Sequence, residues 1–249
     1  EIAKGSPRNR GSLILKKDLL RHLDKNIPLY RSIYLYDKSA YEFAEATGSL
    51  KNYFGKRGID HIILDIDKGD SSNEHTRQKA IGIVVNLEEF DISQNSIQCY
   101  FSGTGYHIVV PNACFGFTPS DNLHYSVKST IAKLFPSADS SIFMRTGIYR
   151  VAHTVNRKTN LYKIPISVQE LFDTDIDMVE LARDARIGYA YSERVGNNEL
   201  SKYIVTEAPR IQQAKKTNEP MDVVPCVQKM LKMGPQEGNR NQTLMRIAS

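Results

Sequence analysis

Asp65 and Asp67 close the segment His61-Ile-Ile-Leu-Asp-Ile-Asp67. The apolar run before them reads as a strand, and a strand sends residues i and i+2 to one face. Both carboxylates therefore project together, and Ile66 points the other way. Two carboxylates this close repel and raise each other's pKa unless a cation lies between them. An all-oxygen donor set of this kind suits Mg²⁺ or Mn²⁺, which keep water ligands and engage substrate phosphates. The plain alternative is a strand end that carries ordinary surface acids.

A second group lies in Phe101-Ser-Gly-Thr-Gly-Tyr-His-Ile-Val-Val110. Glycines 103 and 105 permit close backbone approach, and exposed amides in such a turn can cradle an anion. Ser102 and His107 flank the turn and could reach one phosphate; a hairpin with a core histidine explains them equally. A third group begins at Asp139 and continues through Arg145, Arg150, His153, Arg157, Lys158 and Lys163. A carboxylate beside guanidinium and ammonium groups suits a triphosphate and its metals. A basic hairpin without a special role is the alternative.

The elements that must position these residues can be read from periodicity. Residues 1–12 are rich in Gly, Ser and Arg and read as a flexible terminus. Leu13–Lys25 reads as a short amphipathic helix, Arg31–Tyr36 as a strand, and Ser39–Tyr53 as a helix stopping near Gly55. After the 61–67 strand, Asn73 can cap a helix running to Phe90, with Ala80, Val84 and Leu87 on one face. Ser96–Phe101 and Tyr106–Val110 read as strands. Ser120 or Asp121 caps a helix with Leu123, Val127, Ile131 and Leu134 on its apolar face, closed by Pro136. Ile148–Val155 and Leu161–Ile166 read as two strands joined by residues 156–160. Residues 168–185 read as a helix with a solvated acidic face. The order from 61 to 166 predicts an α+β fold, with a mostly antiparallel, RRM-like sheet core and helices on one face, preceded by an N-terminal α/β module. Residues 211–220 read as a linker and 221–249 as a partial helical unit.

The chain has 249 residues, 41% hydrophobic and 24% charged, which is globular composition and argues against disorder or fibrous repeats. No apolar run approaches the roughly 20 residues of a membrane helix, and no signal-peptide pattern is present. Cys99, Cys114 and Cys226 are an odd, widely spaced set, so a disulfide scaffold is not expected and a reducing cytoplasmic setting is. The net charge of +5 is unevenly placed. Residues 1–32 carry eight basic against three acidic groups, and residues 201–249 eight against four, whereas the middle is net acidic. Basic flanks around an acidic centre suit a polyanion-binding protein whose core holds cations. The chain lacks an initiating Met and stops within a helical pattern, so a fragment of a longer protein is expected.

The ordered combination resembles the archaeo-eukaryotic primase (primase-polymerase) superfamily. Its pattern is a strand-borne acid pair, then a Ser-x-His-type motif, then a hydrophobic-Asp motif followed by basic residues. Here these are Leu64-Asp65-Ile66-Asp67, Ser102-Gly-Thr-Gly-Tyr-His107 and Ala138-Asp139. Residues 150–166 (RVAHTVNRKTNLYKIPI) are similar to the family's Arg/Lys-bearing hairpin. The resemblance covers about residues 30–170 and implies a catalytic domain over 13–210. Ala138 stands where a bulkier apolar residue is usual, and no Cys/His cluster matches the zinc element of many relatives, so zinc is not implied. A second resemblance lies at Pro225-Cys-Val-Gln-Lys-Met-Leu231 and Glu237-Gly-Asn-Arg-Asn-Gln242, similar to the helical PriCT segment after the catalytic domain of phage and plasmid primases, with Arg240 in its core.

The resemblance implies nucleotidyl transfer with two Mg²⁺ or Mn²⁺ ions held by Asp65, Asp67 and Asp139. Ser102, Gly103, His107, Arg150 and Lys158 would bind the nucleotide, and Arg145, Lys163 and Arg240 would be further phosphate or template contacts. Implied partners are single-stranded DNA, NTP or dNTP substrates and a possible helicase beyond the fragment, with no membrane. A gap-filling polymerase of the same superfamily is the main alternative. A DxD glycosyltransferase and an RRM-type RNA-binding protein are distant ones, the latter because RNA-binding sheets display aromatics, whereas here two carboxylates are expected on a central strand.

Overall fold

The structure is a computed structural model that describes residues 1–189 and 198–206. The linker and C-terminal helical unit expected over 211–249 lie outside the described residues. The described part is mixed α and β, with antiparallel sheets and several helices.

Contrary to a flexible terminus, Ile2–Lys4 forms strand β1, with Ile2 and Ala3 buried. It pairs with β2 (Leu29–Ser32). Between them lies a 3₁₀ turn over Lys16–His22, in place of the longer helix expected from Leu13. β3 (Leu35–Tyr36) leads into α1 (Lys38–Thr47), whose cap is Asp37. The helix ends at Gly48, where φ is +78°, earlier than Gly55. Glycine takes this left-handed C-terminal position without a Cβ clash. β4 (Arg57–Gly58) pairs with β3.

The main sheet begins with β5 (His61–Ile66) and α2 (Asn73–Glu89), capped by Ser72 one residue before the expected Asn73. β6 (Gln98–Phe101), β7 (Tyr106–Pro111) and the short α3 (Asn112–Phe115) follow. Next come α4 (Leu123–Leu134) and β8 (Ile148–Arg150). α4 follows Asn122 and has no side-chain cap, whereas Ser120 or Asp121 was the expectation. β9 (Val155–Asn156) and β10 (Leu161–Tyr162) form a short hairpin, and β11 (Ile164–Ile166) completes the strands.

The principal sheet has the order β11-β6-β7-β5, and every pairing is antiparallel. β5, α2 and β6 form a split β-α-β unit with β7 between its strands. β5 is therefore an edge strand, not a central one. Ile62, Leu64 and Ile66 alternate toward the helical side, where they join Ala80, Val84, Leu87, Val127 and Ile131 in one buried core. Each of these residues is no more than 1% exposed, as their spacing predicts.

The other face is covered by a second sheet, β1-β2-β8. A cavity of about 180 Å³ is lined from both layers by Arg31, Tyr149, His61, Tyr100, Val109 and Lys163. The strand expected over 148–155 is thus divided: its first half joins β2 in the second sheet, and its end pairs with β10.

The helix expected over 168–185 is two short ones, α5 (Val168–Phe172) and α6 (Met178–Leu181). The buried Arg77 guanidinium of α2 explains the break. It donates to the carbonyls of Glu170, Leu171, Asp173 and Ile176, so these carbonyls are capped from outside rather than by a continuing helix. The acidic face is also not simply solvated. Glu170 closes a capping box with Ser167 and pairs with Arg186. Among the described residues, no helix is long and apolar enough to cross a membrane.

Candidate metal centre

The pleat of β5 places Asp65 on the face opposite Ile62, Leu64 and Ile66, and Asp67 follows two residues later. Asp139 arrives from the loop after α4. Its N–H donates to the Asp65 carbonyl at 2.7 Å, which also covers part of the β5 edge. The Asp139 carboxylate is oriented by Ser141, whose N–H and Oγ–H donate to Oδ1 at 2.7 Å and Oδ2 at 2.8 Å. Asp65, Asp67 and Asp139 each offer an oxygen within 4.8 Å of the others. Asp65 and Asp139 are partly buried, and Asp67 is exposed.

Burial pushes the Asp65 carboxyl up to about 7, the Asp67 and Asp139 charges add to the effect, and Lys163 opposes it. Lys163 does not offset burial and the two neighbouring acids, and a divalent cation among the three would add the positive charge that does. The donors are all carboxylate oxygens, so the cluster could hold a hard metal ion.

His107 stands opposite Asp65 in the β5–β7 register. Its Nε2 lies 3.3 Å from Asp65 Oδ1, and its Nδ1 lies 2.8 Å from Lys163 Nζ. Burial, then the Lys163 and Arg150 charges, hold the imidazole well below its usual pKa. Lys163 is only 1% exposed. Its Nζ–H donates to the Arg150 carbonyl at 2.8 Å, and the rings of Tyr100 and Tyr149 flank it at 4.8 and 4.9 Å.

The Ser102–Gly105 turn packs against the end of β5. Ser102 N–H donates to the Gly105 carbonyl at 2.8 Å, and Gly105 N–H donates to Ser102 Oγ at 3.1 Å. A Cβ on Gly105 would come 2.1 Å from the Ile66 carbonyl oxygen, so only glycine permits this approach. Gly103 has φ +88° and faces Thr159 and Leu161. Arg150 is buried and donates to the Ser102 carbonyl, which braces the turn from below.

The fold therefore gathers Asp65, Asp67, Asp139, His107, Lys163, Ser102, Gly103 and Arg150 into one continuous set of contacts. Arg150 and Lys163 form its buried support rather than its open face. Lys158 is exposed at the β9–β10 turn, where its N–H donates to Asn156 Oδ1 at 3.0 Å. Arg145 belongs to another cluster: its guanidinium lies 4.1 Å from the Phe54 ring centroid, and its carbonyl accepts from Arg57. Arg240 lies outside the described residues. Sequence reasoning missed Tyr100, Tyr149 and Arg57. The alternation of β6 could have placed Tyr100 beside His107, because the two are register partners. A larger, mainly apolar cavity of about 610 Å³ lies over β2, β3 and the start of α1, and none of the three acids lines it. No known protein-family model matches the chain, and no curated protein matches it.

Proposed function

We propose that this chain is a template-dependent nucleotidyltransferase of the primase-polymerase type, acting on single-stranded DNA in replication of a phage- or plasmid-type element. The observation that carries the reading is the convergence of Asp65, Asp67 and Asp139 within 4.8 Å, from a strand pair-motif and a distant loop. The split β-α-β sheet with helices on one face supports an RRM-like core of the primase-polymerase kind.

Asp65, Asp67 and Asp139 would hold two divalent ions. Such ions lower the pKa of an attacking 3′-hydroxyl and neutralise charge on a triphosphate and its leaving group. The chain's own residues position and brace. Asp139 is fixed by Ser141, and the Ser102–Gly105 turn, with Thr104 exposed, packs through Gly105 on the Ile66–Asp67 backbone. Lys158 is a solvent-accessible ammonium that can meet phosphate charge. The basic termini would follow the template backbone by charge.

Primer-free incorporation of labelled ribo- and deoxynucleotides on single-stranded DNA, with Mg²⁺ or Mn²⁺, tests this reading. Product is expected from the wild-type chain and none from folded Asp65→Ala or Asp67→Ala. Extension only from a supplied primer would favour a gap-filling polymerase of the same superfamily. Full activity in a clean Asp65→Ala preparation would remove the metal assignment.

A further inference from the structure

Lys163 is a buried lysine whose terminal nitrogen meets a backbone carbonyl, two tyrosine faces and one imidazole nitrogen. Burial, then the Arg150 charge, hold the Lys163 pKa well below the usual lysine value, but its nitrogen keeps N–H donors in either charge state, and one of them meets the Arg150 carbonyl. A neutral imidazole has one donor and one acceptor nitrogen. On the far side of the ring, Nε2 is 3.3 Å from Asp65 Oδ1. A carboxylate that ligates a cation is ionised and can only accept, so the ring proton belongs on Nε2. Nδ1 must then accept, and the donor beside it is Lys163 Nζ at 2.8 Å.

We propose that Lys163 is a positioning residue: its Nζ–H···Nδ1 bond fixes His107 as the Nε2–H tautomer, and His107 in turn holds Asp65 Oδ1 in the orientation that serves the cation. This rests on the reading of Asp65 as a metal ligand. Both ring nitrogens are thereby engaged, so His107 is not a free base for the attacking hydroxyl. Its backbone explains why the arrangement is stiff. Lys163 N–H donates to the Thr154 carbonyl at 3.0 Å, and its own carbonyl accepts from His153 N–H at 2.7 Å. Hydrogen-bond partners behind metal ligands commonly change metal affinity about 10–100-fold.

The test uses the whole chain, with Lys163→Met, which keeps length but loses the donor, and Lys163→Gln, which keeps an amide donor. Two quantities are read: Mn²⁺ affinity by electron paramagnetic resonance, and the His107 tautomer by long-range ¹H–¹⁵N spectra. The wild-type ring is expected as Nε2–H. Lys163→Met is expected to lose the single tautomer and bind Mn²⁺ roughly 10–100-fold more weakly, while Lys163→Gln retains the tautomer and most of the affinity. An Nδ1–H ring in the wild type overturns the proposal without any variant. So does a folded Lys163→Met chain with unchanged tautomer and Mn²⁺ affinity. A wild-type chain with no Mn²⁺ binding overturns the metal centre itself, and this role with it. Intact Mn²⁺ binding with an Nδ1–H ring overturns only the role of Lys163.

Discussion

Asp65 carries the electrostatic cost of the candidate centre. It is partly buried, two acids face it, and its carboxyl is pushed up to about 7. Repulsion of this sort destabilises the metal-free protein, so an isosteric neutral group should relieve it. Asp65→Asn is expected to raise metal-free stability by roughly 1–3 kcal/mol above neutral pH. The proposed metal centre further implies that Mn²⁺ raises the wild-type Tm and that this variant loses the rise, because one of the three carboxylate donors would have become a weak one. Thermal melts of both chains, with chelator and with Mn²⁺, measure both effects. An Asn variant that is less stable without metal, or equally stabilised by Mn²⁺, would show that the three acids do not share an ion.

Two buried arginines act at the scale of elements. Arg77 ties α2 to the α5–α6 segment through four carbonyls. Arg77→Met would leave buried carbonyls unpaired and is expected to cost about 2–4 kcal/mol. Urea titration gives the total, and amide exchange in residues 168–182 should accelerate before the rest of the fold. Arg57 binds the carbonyls of Tyr53, Gly55 and Arg145, and its guanidinium lies 3.5 Å from His124 Nδ1 on α4. Burial, then the Arg57 and Arg145 charges, push the His124 imidazole down to about 4. Its folded pKa lies below its unfolded value, so its contribution is full above about pH 6.5 and is lost as pH falls toward about 4. His124→Gln should therefore lose less Tm between pH 7 and pH 5 than the wild type does. Parallel Tm curves for the two chains across that window would place the acid sensitivity elsewhere.

At the scale of the whole molecule, charge placement sets the expected partner. The basic first 32 residues and last 49 flank an acidic middle, and the proposed template contact through them would weaken steeply with salt. On the proposed function, anisotropy titrations with an oligothymidylate are expected to show binding that falls at least about tenfold between about 50 and 300 mM salt. Equal affinity at both would exclude a charge-led template track. Much of the centre was legible in the chain itself. Alternation along 61–67 puts Asp65 and Asp67 on one face because pleating is local, and helical spacing places Ala80, Val84 and Leu87 in the core for the same reason. The glycines of 102–105 mark a turn by their own stereochemistry. Strand order is not local, so β5 proved to be an edge. The inward turn of Arg150 and Lys163 depended on a second sheet closing over the first. Asp139 met Asp65 through one backbone hydrogen bond between residues far apart in the chain. Periodicity ranks residues along a single element; only packing between elements decides which charges are buried together and which face water.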